Sequence, residues 1–272
     1  MPQTISEPTS SSSVTTAKVE VQQELDSIRR RLIANYDNNA DQYDADRSLH
    51  QGLDFYFQLS YRTINQLIGP VPDDAVHVDM PVGTGRFFVY LREHGRRHQM
   101  IGIDNSPGML KVCRAKIGHY RDSIQLLPGD AFQLPLDDDS VDVLTCLRLF
   151  HLYPQDYWPR IIGELRRVVR PGGMLITEMR NAIRGRSCIL AVRGFRERRK
   201  RHPHTFVAPH QVGGFFKDWS DVRTEGIGFD GSVHIARIAP RVFGGLRMFE
   251  RYTPLRYLSK VLLIKAIKPS AT

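Results

Sequence analysis

The sequence predicts a doubly wound α/β fold on a mostly parallel sheet, and three observations carry that prediction. Short apolar runs of strand length alternate with helical segments of roughly 10 to 15 residues between Ala75 and Glu178. Three consecutive runs close on an aspartate, at Asp79, Asp104 and Asp130, and the carboxyl ends of strands are where open α/β sheets bind ligands. A turn with glycine at Gly83 and Gly85 joins the first run directly to a helix.

The elements follow in order. Residues 1–19 are rich in serine and threonine and read as a disordered tail. Residues 20–70 read as a helical cap. Val21, Leu25, Ile28 and Leu32 fall on one face of a helix over Val21–Asn35, and a second helix covers Leu53–Leu67 before Gly69-Pro70. The polar stretch from Tyr36 to Asp44 between them is turn-prone. In the main domain, residues 71–272, strands are expected at Ala75–Met80, Met100–Ile103, Ile124–Leu127, Val141–Leu147 and Met174–Glu178. Helices are expected at Arg86–His94, Pro107–Ile117 and Asp156–Val169. The last carries Trp158, Ile161, Ile162, Leu165, Val168 and Val169 on one stripe and stops at the turn Arg170-Pro171-Gly172-Gly173. A helix over Ala208–Lys217 and two late strands, Val222–Phe229 and Lys260–Lys268, complete the pattern.

Composition narrows the class. The chain has 272 residues, 41% of them apolar, enough for one large core. No apolar run approaches the roughly 18 residues of a membrane-spanning helix, and the first twenty residues lack the apolar segment of a secretory signal. Cys113, Cys146 and Cys188 have neither disulfide nor metal-site spacing, which suits a reducing cytoplasm and points to no bound metal. The net charge of +9 is concentrated: between Arg184 and Arg201 stand eight basic residues against one acid, Glu197. A protein that grips nucleic acid over a broad face spreads its charge more widely.

The string Val78-Asp79-Met80-Pro81-Val82-Gly83-Thr84-Gly85 turns from strand to helix, and glycine lets the backbone approach a ligand closely there. A Gly-x-Gly alone serves any strand–helix joint. Asp104, nineteen residues after Gly85, can accept hydrogen bonds from both ribose hydroxyls; it can equally cap a helix, for which Ser106 is as suitable. A dinucleotide reading needs a third glycine where this chain has Phe88.

Taken together, Asp79 to Gly85, Gly102-Ile103-Asp104-Asn105-Ser106-Pro107-Gly108-Met109-Leu110, Gly129-Asp130-Ala131, Leu134 to Leu144 and Glu164 to Gly173 resemble the five successive motifs of class I S-adenosylmethionine-dependent methyltransferases. The closest flavour is that of the ubiquinone and menaquinone biosynthesis enzymes. The resemblance spans about Ala75 to Glu178 and implies a Rossmann-like seven-stranded sheet with a reversed last strand, N-terminal helices and a basic helical lid at about 181–217. It implies S-adenosylmethionine as cofactor, held by Asp79, Gly83, Thr84, Gly85, Asp104, Asn105, Met109, Asp130, Ala131 and Leu147, with Arg148 beside the methionine moiety. Pro81 departs from the pattern, which has glycine there; proline has a fixed φ and no amide hydrogen.

Methyl transfer from a sulfonium is an in-line displacement that needs alignment and exclusion of water, and a base only where the acceptor must lose a proton. His151, just past the fourth strand, is the candidate base and equally a structural histidine. Tyr36 and Tyr43 are placed by the resemblance over the cofactor, Tyr43 as a catalytic candidate. The expected acceptor is a small or lipid-like molecule, with Ser187–Arg201 as an amphipathic helix that suits an anionic acceptor, an acidic carrier or the surface of a membrane. Arg237, Arg241, Arg247, Arg251 and Arg256 form a second, looser basic set. RNA methylation through the basic stretch is the alternative, disfavoured by the absence of a recognisable RNA-binding module. A non-catalytic binding protein with a site altered at Pro81 is the other.

Overall fold

The computed structural model describes residues 11–49, 51–120, 122–183, 206–228 and 257–270. Seven strands form one sheet: β1 (Val76–Asp79), β2 (Gln99–Asp104), β3 (Ile124–Pro128), β4 (Val141–Cys146), β5 (Val169–Arg180), β6 (Ser220–Ile227) and β7 (Val261–Ile267). Their order is β3-β2-β1-β4-β5-β7-β6. The first five run parallel, and β7 lies antiparallel between β5 and β6. The expected α/β sheet with a reversed last strand is therefore present.

Strand residues alternate between two apolar layers, as a sheet covered on both faces requires. Val78, Leu144, Leu175 and Ile264 pack with Leu25 and Ile28 of α1 (Ser11–Asn39) and with Trp158, Ile161, Ile162 and Leu165 of α6 (Trp158–Val168). Val143, Ile176 and Leu263 point the other way, toward Phe57, Tyr61 and Ile64 of α3 (Gln51–Ile68), Phe87, Phe88 and Leu91 of α4 (Arg86–Glu93) and Leu110 and Cys113 of α5 (Pro107–Lys116). Among the described residues no helix is long and apolar enough to cross a membrane.

Several boundaries differ from expectation, each for a local reason. α1 begins at Ser11, inside the stretch expected to be a disordered tail, and Val21, assigned to its buried face, is 47% exposed. The polar stretch 36–44 does not stop that helix: it continues to Asn39, whose side-chain amide donates to the carbonyl of Asn35. The chain then turns through Ala40 into a second short helix, α2 (Tyr43–Leu49), with Asp44 and Asp46 in its first turn, where the helix dipole favours acids. Pro171-Gly172-Gly173 is not a free turn. Gly172 donates to the carbonyl of Lys268 and Lys268 donates to Gly173, so β5 begins at Val169 and absorbs the glycines as an irregularity. Gly213-Gly214 shortens the helix expected over 208–217 to a 3₁₀ turn, Pro209–Gln211, and one turn, Val212–Phe215. The basic helix expected at 187–201 and the set from Arg237 to Arg256 lie outside the described residues.

Candidate active site

A cleft opens at the carboxyl ends of β1, β2 and β4 and is roofed by α1, α2 and α3. Its floor is the loop after β1. Gly83 takes φ +54° and Gly85 φ +76°, a region that favours glycine. A Cβ on Gly85 would stand 2.6 Å from Cys113 Sγ, so that residue also allows α4 and α5 to pack closely. The loop is tied to β2, because Val82 N–H donates to the Ile103 carbonyl and Gly83 N–H donates to Asp104 Oδ2 at 2.8 Å. Asp104 Oδ1 accepts from Ser106 N–H at 3.0 Å. Each carboxylate oxygen has two acceptor positions, so Asp104 retains acceptor capacity beyond these bonds. Pro81 lines the cleft behind a cis peptide, and the loop amides that make these bonds all come after it.

Two acids on this floor carry an electrostatic cost. Burial pushes Asp79 up to about 7, against the Thr145 hydroxyl hydrogen bond and Arg148, which favour its charge. Burial pushes Asp104 up to about 6, against the amides of Ser106, Gly83 and Asn105. Strongly shifted acids in a cleft are a mark of a functional site. A raised folded pKa means that the native state holds its proton more tightly than the unfolded chain. That contribution is complete below about 4, declines as pH rises and is gone above about 7 for Asp79. Asp79→Asn, which mimics the protonated form, is accordingly expected to melt close to the wild type at about pH 4 and several degrees above it at pH 8. Parallel melting curves at both pH values would show that Asp79 does not bear this cost.

The first two N-terminal helices, α1 and α2, are fastened to the floor by polar contacts. Arg29 donates to Asp130 Oδ1 at 2.9 Å and lies over the Phe132 ring. Asp37 accepts from Ser106 Oγ and from Gly108 N–H. Asp44 accepts from Thr84 Oγ1 at 2.8 Å and pairs with Lys116. Together the contacts reach the segments after all three strands: Asp130 follows β3, Ser106, Gly108 and Lys116 follow β2, and Thr84 follows β1.

Residues 78–177, which hold this floor, match the family model described as "Methyltransferase domain". Over these residues the chain is similar to methyltransferase domains. Over 102 residues it is 37% identical to the demethylmenaquinone methyltransferase of Deinococcus radiodurans, covering 36% of this chain and 40% of that protein. Over 159 residues it is 30% identical to the malonyl-[acyl-carrier protein] O-methyltransferase of Xylella fastidiosa, covering 56% of this chain and 48% of that one. The chain thus spans less than half the length of these two relatives. Among solved structures, a SAM-dependent methyltransferase of Thermotoga maritima superposes with a TM-score of 0.59 at 17% identity over 86% of this chain and 98% of its own. Phosphoethanolamine N-methyltransferase 2 of Haemonchus contortus, solved with phosphomonomethylethanolamine and S-adenosylhomocysteine, gives 0.58 at 18% over 78% and 52%. These two likenesses concern the fold.

The cleft gathers Gly83, Thr84, Asp104, Asn105, Met109, Ala131 and Leu147, with Tyr36 and Tyr43 from the cap. Asp79 and Gly85 stand behind its wall, Asp79 2% exposed. Asp130 is turned to Arg29 and to Phe132 N–H, and only its neighbour Ala131 faces the cleft. His151 lies in the 3₁₀ turn Phe150–Leu152 and does not line the cleft. The sequence reading gave no weight to Phe57 and Tyr61 of α3. Arg148 stacks on them, 5.0 Å and 5.9 Å from their ring centroids, with φ at +60°. Its position beside Leu147 was the available signal; the partner rings, some ninety residues earlier, gave none.

Proposed function

We propose that this protein transfers a methyl group from S-adenosylmethionine to an oxygen, nitrogen or carbon nucleophile of a small or lipid-like acceptor. The observation that carries the proposal is the join between Gly83 N–H and Asp104 Oδ2, which sets a carboxylate with spare acceptor positions beside a glycine floor inside the cleft. In this reading Asp104 binds the ribose hydroxyls, and Asn105, Met109 and Ala131 flank the adenosine. Asp79 meets the methionine ammonium, giving up its proton as it does so. Bound there, the cofactor supplies an electrophilic methyl group. The chain's own part is to hold both reactants in line and keep water out, which Tyr36, Tyr43, Leu149, Leu152 and Tyr153 are placed to do.

Arg148 supports an anionic acceptor. It lines the cleft on two aromatic rings, with the buried carboxyls of Glu178 and Asp79 favouring its charge. A guanidinium beside a bound acidic hydroxyl favours its ionised form and lessens the need for a separate base, in keeping with His151 lying outside the cleft. Arg86, near the same Phe57 ring, has interactions of its own. The basic stretch from Arg184 to Arg201 is assigned a peripheral contact with an anionic membrane surface or carrier. The free thiols of Cys113 and Cys146 support a cytoplasmic setting.

Incubation of the protein with methyl-labelled cofactor and fractionated host extract is expected to place label in an acidic, organic-soluble fraction. Label confined to RNA would replace this acceptor class, and no calorimetric binding of the cofactor at millimolar concentration would remove the enzyme reading.

A further inference from the structure

Beneath the glycine floor runs a buried polar chain that the proposed reaction does not use. His98 Nε2 is 3.2 Å from His77 Nδ1, His77 Nε2 is 3.1 Å from Thr145 Oγ1, and Thr145 Oγ1 is 2.6 Å from Asp79 Oδ1. All four side chains are at most 2% exposed. They come from three adjacent strands: His77 and Asp79 from β1, Thr145 from β4, and His98 from just before β2.

With Asp79 ionised, one arrangement of protons satisfies every link. Thr145 has one hydroxyl hydrogen and two acceptors in reach, Asp79 Oδ1 at 2.6 Å and the Val78 carbonyl at 3.3 Å. The short contact to a carboxylate takes it. Thr145 Oγ1 then accepts from His77, so His77 carries its hydrogen on Nε2 and has a bare Nδ1. That bare nitrogen accepts from His98 Nε2–H. Every donor in the chain faces Asp79, an arrangement in which successive hydrogen bonds strengthen one another.

Such a chain requires both imidazoles neutral, because a doubly protonated His77 would turn a hydrogen against His98. Burial, His98, Arg96 and Arg92 hold His77 well below its ordinary range. Burial, with Arg96 and Arg92, lowers His98 to about 4, against weaker opposition from Asp73 and Asp142. A core that needed only volume at these positions would have used valine or isoleucine without desolvating two imidazoles.

We propose that His77 and His98 are positioning residues for cofactor binding: they lock the Thr145 hydroxyl onto Asp79 Oδ1 and leave Oδ2, which takes no hydrogen bond from a described residue, for the cofactor's ammonium. The inference rests on the cofactor reading given above. Losing the Thr145 hydrogen bond disfavours the ionised carboxylate, so it makes Asp79 ionise at higher pH.

The experiment is calorimetry with S-adenosylhomocysteine from pH 5.5 to 8.5. Wild-type affinity is expected to rise with pH as Asp79 ionises. Thr145→Val should move that rise upward by about one pH unit, a loss of about tenfold at pH 6.5. His77→Phe should move it the same way, and His77→Gln, which keeps an N–H donor, should restore it. Adding His77→Phe to Thr145→Val should shift it no further, because the histidine acts through the threonine. The titratable groups facing Asp79 are Arg148 and Cys146 at β4, Asp104 on β2, Glu178 on β5, Cys113 on α5 and Tyr61 on α3. All are unaltered in these variants. A His77→Phe protein that melts earlier but keeps the wild-type pH profile would overturn the proposal and leave the histidines as filling. Should that variant not fold, His98→Leu, one link further from Asp79, takes its place with the same two outcomes. Absence of wild-type binding at every pH would instead remove the cofactor reading and this inference together.

Discussion

Asp104→Ala is expected to weaken S-adenosylmethionine binding at least a hundredfold while leaving a folded protein. Two ribose hydroxyls donate to this carboxylate in the proposed site, and a hydrogen bond to a charged group contributes about 1.5 to 3 kcal/mol. Losing both corresponds to about 3 kcal/mol or more, which is at least two decades in Kd. The variant also frees Gly83 N–H from Oδ2 and Ser106 N–H from Oδ1, so the glycine floor loses its tie to β2. Asp104→Asn keeps one acceptor oxygen and should fall between the two. Calorimetry on the three proteins checks this; an alanine variant that binds within threefold of wild type would mean that the ribose lies elsewhere.

Trp158→Ala should be the most destabilising single change in the described core. The side chain is fully buried, packed edge-on against Phe150 and near Phe215. Its indole N–H is shared between the carbonyls of Phe150 and Tyr153, 3.0 and 3.1 Å away. Truncating a buried tryptophan to alanine costs about 3 to 5 kcal/mol, a large part of a typical domain's stability. The staple matters to function as well, because the segment it holds supplies Leu149, Leu152 and Tyr153 to the cleft. Trp158→Phe keeps most of the packing and removes the donor. Its expected loss of about 1 to 2 kcal/mol, read by urea denaturation, would separate the staple from the volume. Equal losses for both variants would show that the hydrogen bonds carry the whole effect.

The sheet was legible in the sequence because its signals are local. Apolar runs ending in Asp79 and Asp104, the helix stripe from Ile161 to Val168, and the glycines at 83 and 85 each fix a short piece of backbone, and the order of pieces then limits the topology. What could not be read depends on distant partners. Asp130 was assigned to the adenine edge from its place after β3, whereas Arg29, a hundred residues earlier, takes its carboxylate. Gly172 and Gly173 signal a turn in isolation and become strand because the end of β7 lies beside them. His77 looked like an ordinary strand residue, since nothing nearby in sequence announces that Thr145 and His98 stand on either side.

The cap contacts also set an order of assembly. α1 leaves the ribosome ahead of the strands, yet Arg29, Asp37 and Asp44 fasten to residues 101, 69 to 71 and 40 to 72 positions further along. Closing such long loops is slow compared with forming a helix. The helix therefore lacks these polar anchors until synthesis has passed Gly108, and the set is complete only once Asp130 has been made. A segment translated before the sheet is thus fully seated only after three of its strands, and the ligand cleft does not exist as an enclosure until then.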